Sequence, residues 1–152
     1  GPVPEWLSQV EKVHIWGLFR RPVARKWYGS VNGASAVLVG DAAHPTLPFL
    51  AQGANLALED AWCLPAALAQ SLSVDQSRAG VPRGLQLFQD TRRARVVRAI
   101  EAANANARNY HIENKALQAV AHAVLRGGSA IAPSAAVRKF NWLYGYDVTA
   151  EL

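Results

Sequence analysis

The sequence predicts an α/β fold that is mostly helical and contains two or three short strands. Three observations lead to this prediction: short runs of aromatic and branched residues before residue 40, a turn-rich stretch at 40–52, and helically spaced apolar residues afterwards. We expect a strand, loop and helix segment over 1–70, a loop over 71–84, and a helical segment with an aromatic tail over 85–152.

The composition is that of one folded domain. Of the 152 residues, 51% are hydrophobic and 18% charged, so the chain can form a core. The formal net charge of +5 permits a polyanionic partner but does not define a fold. No apolar run is long enough to cross a bilayer, and the first residues lack the pattern of a signal peptide. With a single cysteine, Cys63, predicted to be a buried inert thiol, we expect a cytoplasmic protein without disulfides or membrane association.

The elements before residue 40 are predicted from local patterns. Pro4 is placed to begin a short helix. Residues 14–19, His-Ile-Trp-Gly-Leu-Phe, predict a strand, and residues 27–33 predict a loop or hairpin-like turn because of their Asn-Gly pair. Residues 35–39, Ser-Ala-Val-Leu-Val, form a continuous apolar run that predicts a strand buried on both faces of a parallel sheet.

The stretch at 40–52 concentrates the residues that carry chemistry. Gly40 ends the predicted strand and Asp41 follows it, at the edge where open α/β sheets place their ligands. A carboxylate at this position can accept hydrogen bonds from the hydroxyls of a sugar or polyol. Pro45 and Pro48 favour an extended loop, because the residue before a proline is kept away from helical angles.

A helix is predicted from Gly53 onward. Its apolar residues recur at spacings of four, three and four, as in a helix: Ala57, Ala61, Leu64 and Leu68. The amides of its first turn, at Gly53, Ala54 and Asn55, lack helical partners and therefore favour an anion or a polarised carbonyl oxygen.

The rest of the chain is predicted to be helical. Apolar residues from Leu85 to Tyr110 lie near one helical face, and the helix, in one piece or two, is expected to end at Gly127-Gly128. The aromatic residues at 140–146 are expected to pack back onto the sheet or the loop. A basic cluster predicts a solvated helix face: Arg92, Arg93, Arg95 and Arg98. Since base-reading motifs and interleaved aromatic residues are lacking, we expect no nucleic-acid partner.

One ordered motif runs from the end of the predicted strand into the helix. It consists of Gly-Asp-Ala-Ala-His-Pro at 40–45, then Pro48, Gln-Gly-Ala-Asn at 52–55 and Glu-Asp at 59–60. The motif resembles the second flavin motif of the flavoprotein aromatic hydroxylases, the family of para-hydroxybenzoate hydroxylase and salicylate hydroxylase. Arg-Arg-Pro at 20–22 and the late Trp-Leu-Tyr-Gly-Tyr-Asp run resemble the same family.

The resemblance implies the C-terminal part of an FAD/NAD(P)-binding monooxygenase fold of the Rossmann type. It implies that Gly40 and Asp41 bind FAD, with the carboxylate on the ribityl hydroxyls, and that Pro48 lies beside the isoalloxazine ring. The amides at 53–55 would face the pyrimidine edge of the flavin. The family's activity further implies NAD(P)H and O2 as co-substrates and the hydroxylation of a small aromatic or N-heteroaromatic acid.

One sequence motif that such an enzyme needs for binding FAD is not in this sequence. The chain contains no G-x-G-x-x-G turn, which holds the ADP half of FAD in such folds. We therefore expect it to belong to a longer parent enzyme and to lack tight FAD binding and turnover by itself, and we assign no catalytic residue. The alternative interpretation is a non-catalytic truncated fragment or a self-associating helical interaction module, and a homo-oligomer fits either interpretation.

Other interpretations of individual residues carry less weight. His44 is expected to be structural rather than reactive, because neighbouring prolines hold it in a loop. An Asp41–His44 hydrolase dyad is rejected, since no G-x-S-x-G turn supplies a nucleophile. The four histidines lack metal-ligand spacing, so no metal is expected. For Trp142 and its aromatic neighbours, core packing is favoured over a substrate pocket.

Overall fold

The computed structural model describes residues 2–131, 134 and 138–152, and within them helices predominate and one two-stranded sheet is present. The elements in chain order are α1 (Val3–Ser8), β1 (Tyr28–Val31), β2 (Ala34–Val37), α2 (Gly53–Val74), α3 (Gly80–Tyr110), α4 (Lys115–Ile131) and α5 (Asn141–Tyr144). Single turns of 3-10 helix lie at Gly40–Ala42, Pro48–Leu50 and Val148–Ala150. The predicted mostly helical composition with short strands is confirmed. None of the described helices is long and apolar enough to cross a membrane.

The two strands form a tight antiparallel hairpin. Asn32 and Gly33 connect them with φ angles of 52° and 79°, as a two-residue turn requires, so the turn predicted from the Asn-Gly pair is confirmed. The prediction of a doubly buried parallel strand at 35–39 is wrong. β2 pairs antiparallel with β1 and Val39 is 41% exposed, because β1 is the sole neighbouring strand in the described part of the chain.

The N-terminal segment matches the prediction in part. The short helix is confirmed as α1, with Pro4 in its first turn. The strand predicted at 14–19 is wrong: these residues form no regular element, and Ile15 and Phe19 are 97% and 90% exposed. A strand needs hydrogen bonds from a neighbour, and no described strand lies beside this segment.

The core lies between α2 and α3, with Trp27 and Leu143 closing it. The helix predicted from Gly53 is confirmed as α2, and its buried residues lie one position before the apolar residues that predicted it, so they differ in phase from the apolar pattern: Leu56, Asp60, Cys63 and Ala67. The apolar pattern missed this phase because a charged residue occupies one of the buried positions. The helices approach closely at Gly84, where an added Cβ would lie 3.0 Å from the Cα of Leu68.

The connections between helices differ from the prediction. The loop predicted over 71–84 is limited to residues 75–79, because Pro82 lies in the first turn of α3, where a proline amide is not needed. The later helical region consists of two pieces, and Gly127-Gly128 lies inside α4 instead of ending it. The break falls before α4, where the Asn114 side chain accepts hydrogen bonds from the amides of residues 116 and 117 and caps the helix.

Candidate functional site

The predicted acidic residue lies in a 3-10 turn that is packed against α2. Gly40 opens the turn with a φ of +53°, and a Cβ at this position would lie 3.2 Å from the Cβ of Ala57. Both the backbone angle and the close approach therefore favour glycine at this position. Asp41 is exposed, and its carboxylate has no hydrogen-bond partner among the residues that the structure describes.

The Arg-Arg-Pro segment holds the outer side of this turn. Nη2 of Arg21 donates to the carbonyl oxygens of Asp41 and Ala42 at 2.9 and 2.6 Å. Two residues after the proline, the amide of Ala24 donates to the carbonyl oxygen of Ala43 at 2.8 Å. Two parts of the resembling motif, about twenty residues apart in sequence, are therefore in direct contact.

The start of α2 presents unpaired amides. Gln52 precedes the helix and makes no side-chain hydrogen bond to its first turn. Within the described ranges, the amides of Gly53, Ala54 and Asn55 have no acceptor, and the first turn contains no acidic residue. Such a helix end carries a partial positive charge that favours an anion or a polarised oxygen.

The loop before α2 is strained. Pro48 begins the 3-10 turn that precedes Ala51, and Ala51 adopts a left-handed conformation with a φ of 51°. This conformation costs a non-glycine residue about 1 kcal/mol or more and is found disproportionately at ligand sites. A groove of about 270 Å3 adjoins the helix start and is lined on one side by Gln52 and Asn55 and on the other by Tyr144 and Tyr146.

A larger groove lies elsewhere. It measures about 580 Å3, lies between the end of α3 and α4, and is lined by residues that include Tyr110, His122 and Leu125. None of the predicted site residues lines it. In the described part of the chain, no cluster of three or more His, Cys, Asp or Glu side chains could hold a metal ion.

A buried carboxylate connects α2 to the turn that carries Asp41. Oδ2 of Asp60 accepts a hydrogen bond from the amide of Gly40 at 2.9 Å and one from Nε2 of His44 at 2.6 Å. Both Asp60 and His44 are buried, and the His44 ring packs against Trp27 with a centroid distance of 5.2 Å. His44 therefore has a structural partner, as expected.

Two arginines of α3 complete a charge-compensated network. Nε of Arg92 donates to Oδ1 of Asp60 at 3.0 Å, and its Nη2 lies 2.6 Å from a Glu59 oxygen. Arg95 donates to both carboxylate oxygens of Glu59 at 2.8 and 2.7 Å. Two carboxylates thus face two guanidinium groups, which is how a protein interior tolerates buried charge.

The network shifts the pKa values of Asp60 and Arg92. Burial raises the pKa of Asp60, but the hydrogen bonds from His44, the Gly40 amide and Arg92 outweigh it and hold the pKa below the ordinary value. The ionised carboxylate only accepts hydrogen bonds, so His44 carries its proton on Nε2. Burial lowers the pKa of Arg92, but its hydrogen bond to Asp60 and the charge of Glu59 produce a net rise.

The solvated basic face predicted for α3 is wrong for three of its four arginines, while Arg98 is exposed as predicted. Arg92 is fully buried, Arg93 donates to the carbonyl oxygen of Ala24 at 2.6 Å, and Arg95 is bound to Glu59. The prediction failed because the carboxylates and carbonyl oxygens that bind these arginines lie 32 to 69 positions away in the chain. One signal was available in the sequence: Arg92 lies four residues from both Phe88 and Val96, on the apolar face of the helix.

The aromatic tail packs onto the loop before α2, as expected, and it also contacts α3. Leu143 is buried, and Arg95 donates to the carbonyl oxygens of Trp142 and Leu143, each at 3.1 Å. The hydroxyl of Tyr144 donates to the carbonyl oxygen of Leu50 at 3.3 Å, which joins the tail to the strained loop. Burial raises the pKa of the Tyr146 hydroxyl, and it likewise raises the pKa of the Cys63 thiol, in agreement with an inert cysteine.

The chain belongs to the FAD binding domain family, which matches residues 4–103. A similar protein is the 3-amino-4-hydroxybenzoate 2-monooxygenase PtnB3 of Streptomyces platensis, which is 32% identical over 145 residues that cover 95% of this chain and 33% of the relative. The FAD-dependent monooxygenase OpS4 of Beauveria bassiana is 30% identical over 150 residues, which cover 95% of this chain and 34% of the relative.

A third relative is a hydroxylase of a benzoate. The 3-hydroxybenzoate 6-hydroxylase of Polaromonas naphthalenivorans is 31% identical over 129 residues, which cover 85% of this chain and 28% of the relative. The chain thus spans about a third of the length of the curated relatives that it matches. The predicted resemblance to flavoprotein aromatic hydroxylases is confirmed.

Proposed function

We propose that this chain forms part of the FAD site of a flavin-dependent monooxygenase that hydroxylates a small aromatic or N-heteroaromatic acid with NAD(P)H and O2. Family membership and the names of the relatives support this class of reaction. The observation that carries the proposal is the exposed carboxylate of Asp41, which has no partner among the described residues and lies in a turn whose backbone is fixed on both sides. When bound, FAD supplies the redox and oxygen-transfer chemistry.

The residues of this chain bind and polarise the cofactor. Asp41 accepts hydrogen bonds from the ribityl hydroxyls, and Gly40 provides the positive φ that the turn needs. Pro48 would lie beside the isoalloxazine ring, since it begins the loop that ends in the strained Ala51. The unpaired amides at 53–55 stabilise negative charge at the pyrimidine edge of the flavin, as the partial positive charge of a helix end favours.

The test compares two exposed aspartates in the protein expressed from its complete coding region. Asp41→Ala is expected to raise the dissociation constant for FAD at least about tenfold, the effect of losing a charged hydrogen bond. The matched control is Asp90→Ala, an exposed carboxylate on α3 that is expected to leave FAD affinity unchanged. Affinity is measured by the quenching of flavin fluorescence on titration. Equal FAD affinity in the wild type and Asp41→Ala would refute the role of this residue.

A second candidate function is self-association through α4. Its apolar residues follow one helical face and are each more than half exposed: Leu117, Val120, Val124 and Leu125. If a second copy of the chain covers this face, sedimentation velocity will detect a dimer or larger species that Leu117→Ser with Val124→Ser dissociates. A monomeric wild-type protein at high micromolar concentration excludes this function.

A further inference from the structure

One carboxylate oxygen holds both ends of the turn that carries Asp41. Oδ2 of Asp60 accepts from the Gly40 amide at 2.9 Å and from His44 Nε2 at 2.6 Å, and these two residues flank Asp41 in sequence. The backbone closes the same turn, because the His44 amide donates to the Gly40 carbonyl oxygen at 2.9 Å. The turn therefore cannot shift along α2 without breaking a hydrogen bond to Asp60.

The Asp60 carboxylate is itself fixed at both oxygens. Its Oδ1 accepts from Nε of Arg92 at 3.0 Å, and Arg92 is held in turn by Glu59. A carboxylate bound on both oxygens in a fully buried position cannot rotate. An asparagine in its place has one acceptor oxygen and one donor group, so it cannot accept from Arg92 and from the turn at the same time.

We propose that Asp60, acting with His44, is a positioning residue that sets the orientation of the Asp41 carboxylate toward FAD. This inference rests on the proposed function. Asp60 and His44 are 0% and 1% exposed, so they act through the turn and do not contact the cofactor. The network from α3 through Asp60 to the turn thereby couples the packing of two helices to the geometry of the cofactor site.

The first experiment is a double-mutant cycle in the protein expressed from its complete coding region. Asp60→Asn and Asp41→Ala are each expected to weaken FAD binding about tenfold. If Asp60 acts through Asp41, the double variant binds FAD no more than about twofold more weakly than Asp41→Ala alone, because the positioned group is already absent. Cys63→Ala, on the same buried face of α2, serves as a control that lowers stability without touching the turn.

The second experiment changes the other member of the pair and remains informative where Asp60→Asn does not fold. His44→Gln retains an N–H donor near the position of Nε2 and is expected to keep FAD affinity within about threefold of the wild type. His44→Leu retains the volume but not the donor and is expected to lose about tenfold. The absorption spectrum of bound flavin is expected to shift in His44→Leu and to remain unchanged in Cys63→Ala.

The outcomes separate this inference from the proposed function. Additive effects of Asp41→Ala and Asp60→Asn, about a hundredfold together, would overturn the positioning role while leaving Asp41 as a ligand. Equal FAD affinity in His44→Leu and the wild type would overturn it as well. By contrast, an Asp41→Ala variant with wild-type affinity refutes the proposed function itself.

Discussion

The polar network around Asp60 and the segment at 10–19 differ in what they bury: the network buries charged side chains, whereas the segment exposes its large apolar ones. The network places two charged side chains, Asp60 and Arg92, at 0% exposure, whereas the apolar Ile15 is 97% exposed. Hydrophobicity alone predicts the reverse arrangement. The difference shows that a side chain is buried when complementary groups surround it. The charged residues have ionic partners on two helices. The segment at 10–19 has no neighbouring strand among the described residues.

The largest expected effect comes from removing the central cation of the network. Arg92→Met is expected to lower the free energy of unfolding by about 3–5 kcal/mol, because the carboxylate of Asp60 is left fully buried without its guanidinium partner. Arg98→Met is the control, since Arg98 is exposed and its guanidinium stacks 3.9 Å from the centre of the Trp142 ring. That contact is worth at most about 1 kcal/mol. Urea unfolding followed by circular dichroism measures both, and equal losses would contradict the comparison.

A pair of identical substitutions tests the two regions directly. Phe88→Ala is expected to cost about 3 kcal/mol or more, because the ring is fully buried and packs against Trp27 at a centroid distance of 5.8 Å. Phe19→Ala is expected to change the free energy of unfolding by less than about 0.5 kcal/mol, since this ring is 90% exposed. A large loss in Phe19→Ala in the same unfolding experiment would mean that the N-terminal segment is buried in solution.

The smallest expected effect is a decrease in the free energy of unfolding at acidic pH. Burial raises the pKa of Asp60, but the hydrogen bonds from His44, the Gly40 amide and Arg92 outweigh it and hold the pKa in the folded state below its ordinary value. Its contribution to stability is therefore present above the unfolded-state pKa, about 3.9, and is lost as the pH falls through the lower folded-state pKa.

Unfolding measured across this acid range tests the assignment. Asp60→Asn is expected to be less stable than the wild type at neutral pH and to lose less of its stability on acidification. Asp147→Asn removes an exposed carboxylate whose pKa is lowered by hydrogen bonds from Thr149, and it is expected to retain most of the wild-type acid dependence. An unchanged acid dependence in Asp60→Asn would contradict the role of this carboxylate.

Local patterns in the sequence predicted several features correctly. The Asn-Gly turn, the short N-terminal helix and the start of α2 at Gly53 each depend on residues that are close together in the chain. The ordered motif at 40–60 also indicated the family, because its spacing is visible in one continuous stretch. The roles of Asp41, Pro48 and the amides at 53–55 remain predictions, although the structure leaves Asp41 and these amides without partners among the described residues.

The errors in the strands and in the buried residues of α2 and α3 concern contacts between distant residues. The strands predicted at 14–19 and 35–39 depended on neighbours that the described chain does not supply. Asp60 lies on the buried face of α2, where a pattern of apolar residues does not place a carboxylate. Its burial depends on Arg92, which lies 32 positions later in the chain.

By itself, the sequence determined the local turns, the helical periods and the family. These features follow from backbone angles and from side chains within a few positions of one another. Only the tertiary structure decided which charges are buried, which face of α2 is inward and which carboxylate holds the Asp41 turn. The physical reason is that burying a charge is favourable only beside its counter-charge, and that pairing exists only after α2 and α3 have packed together.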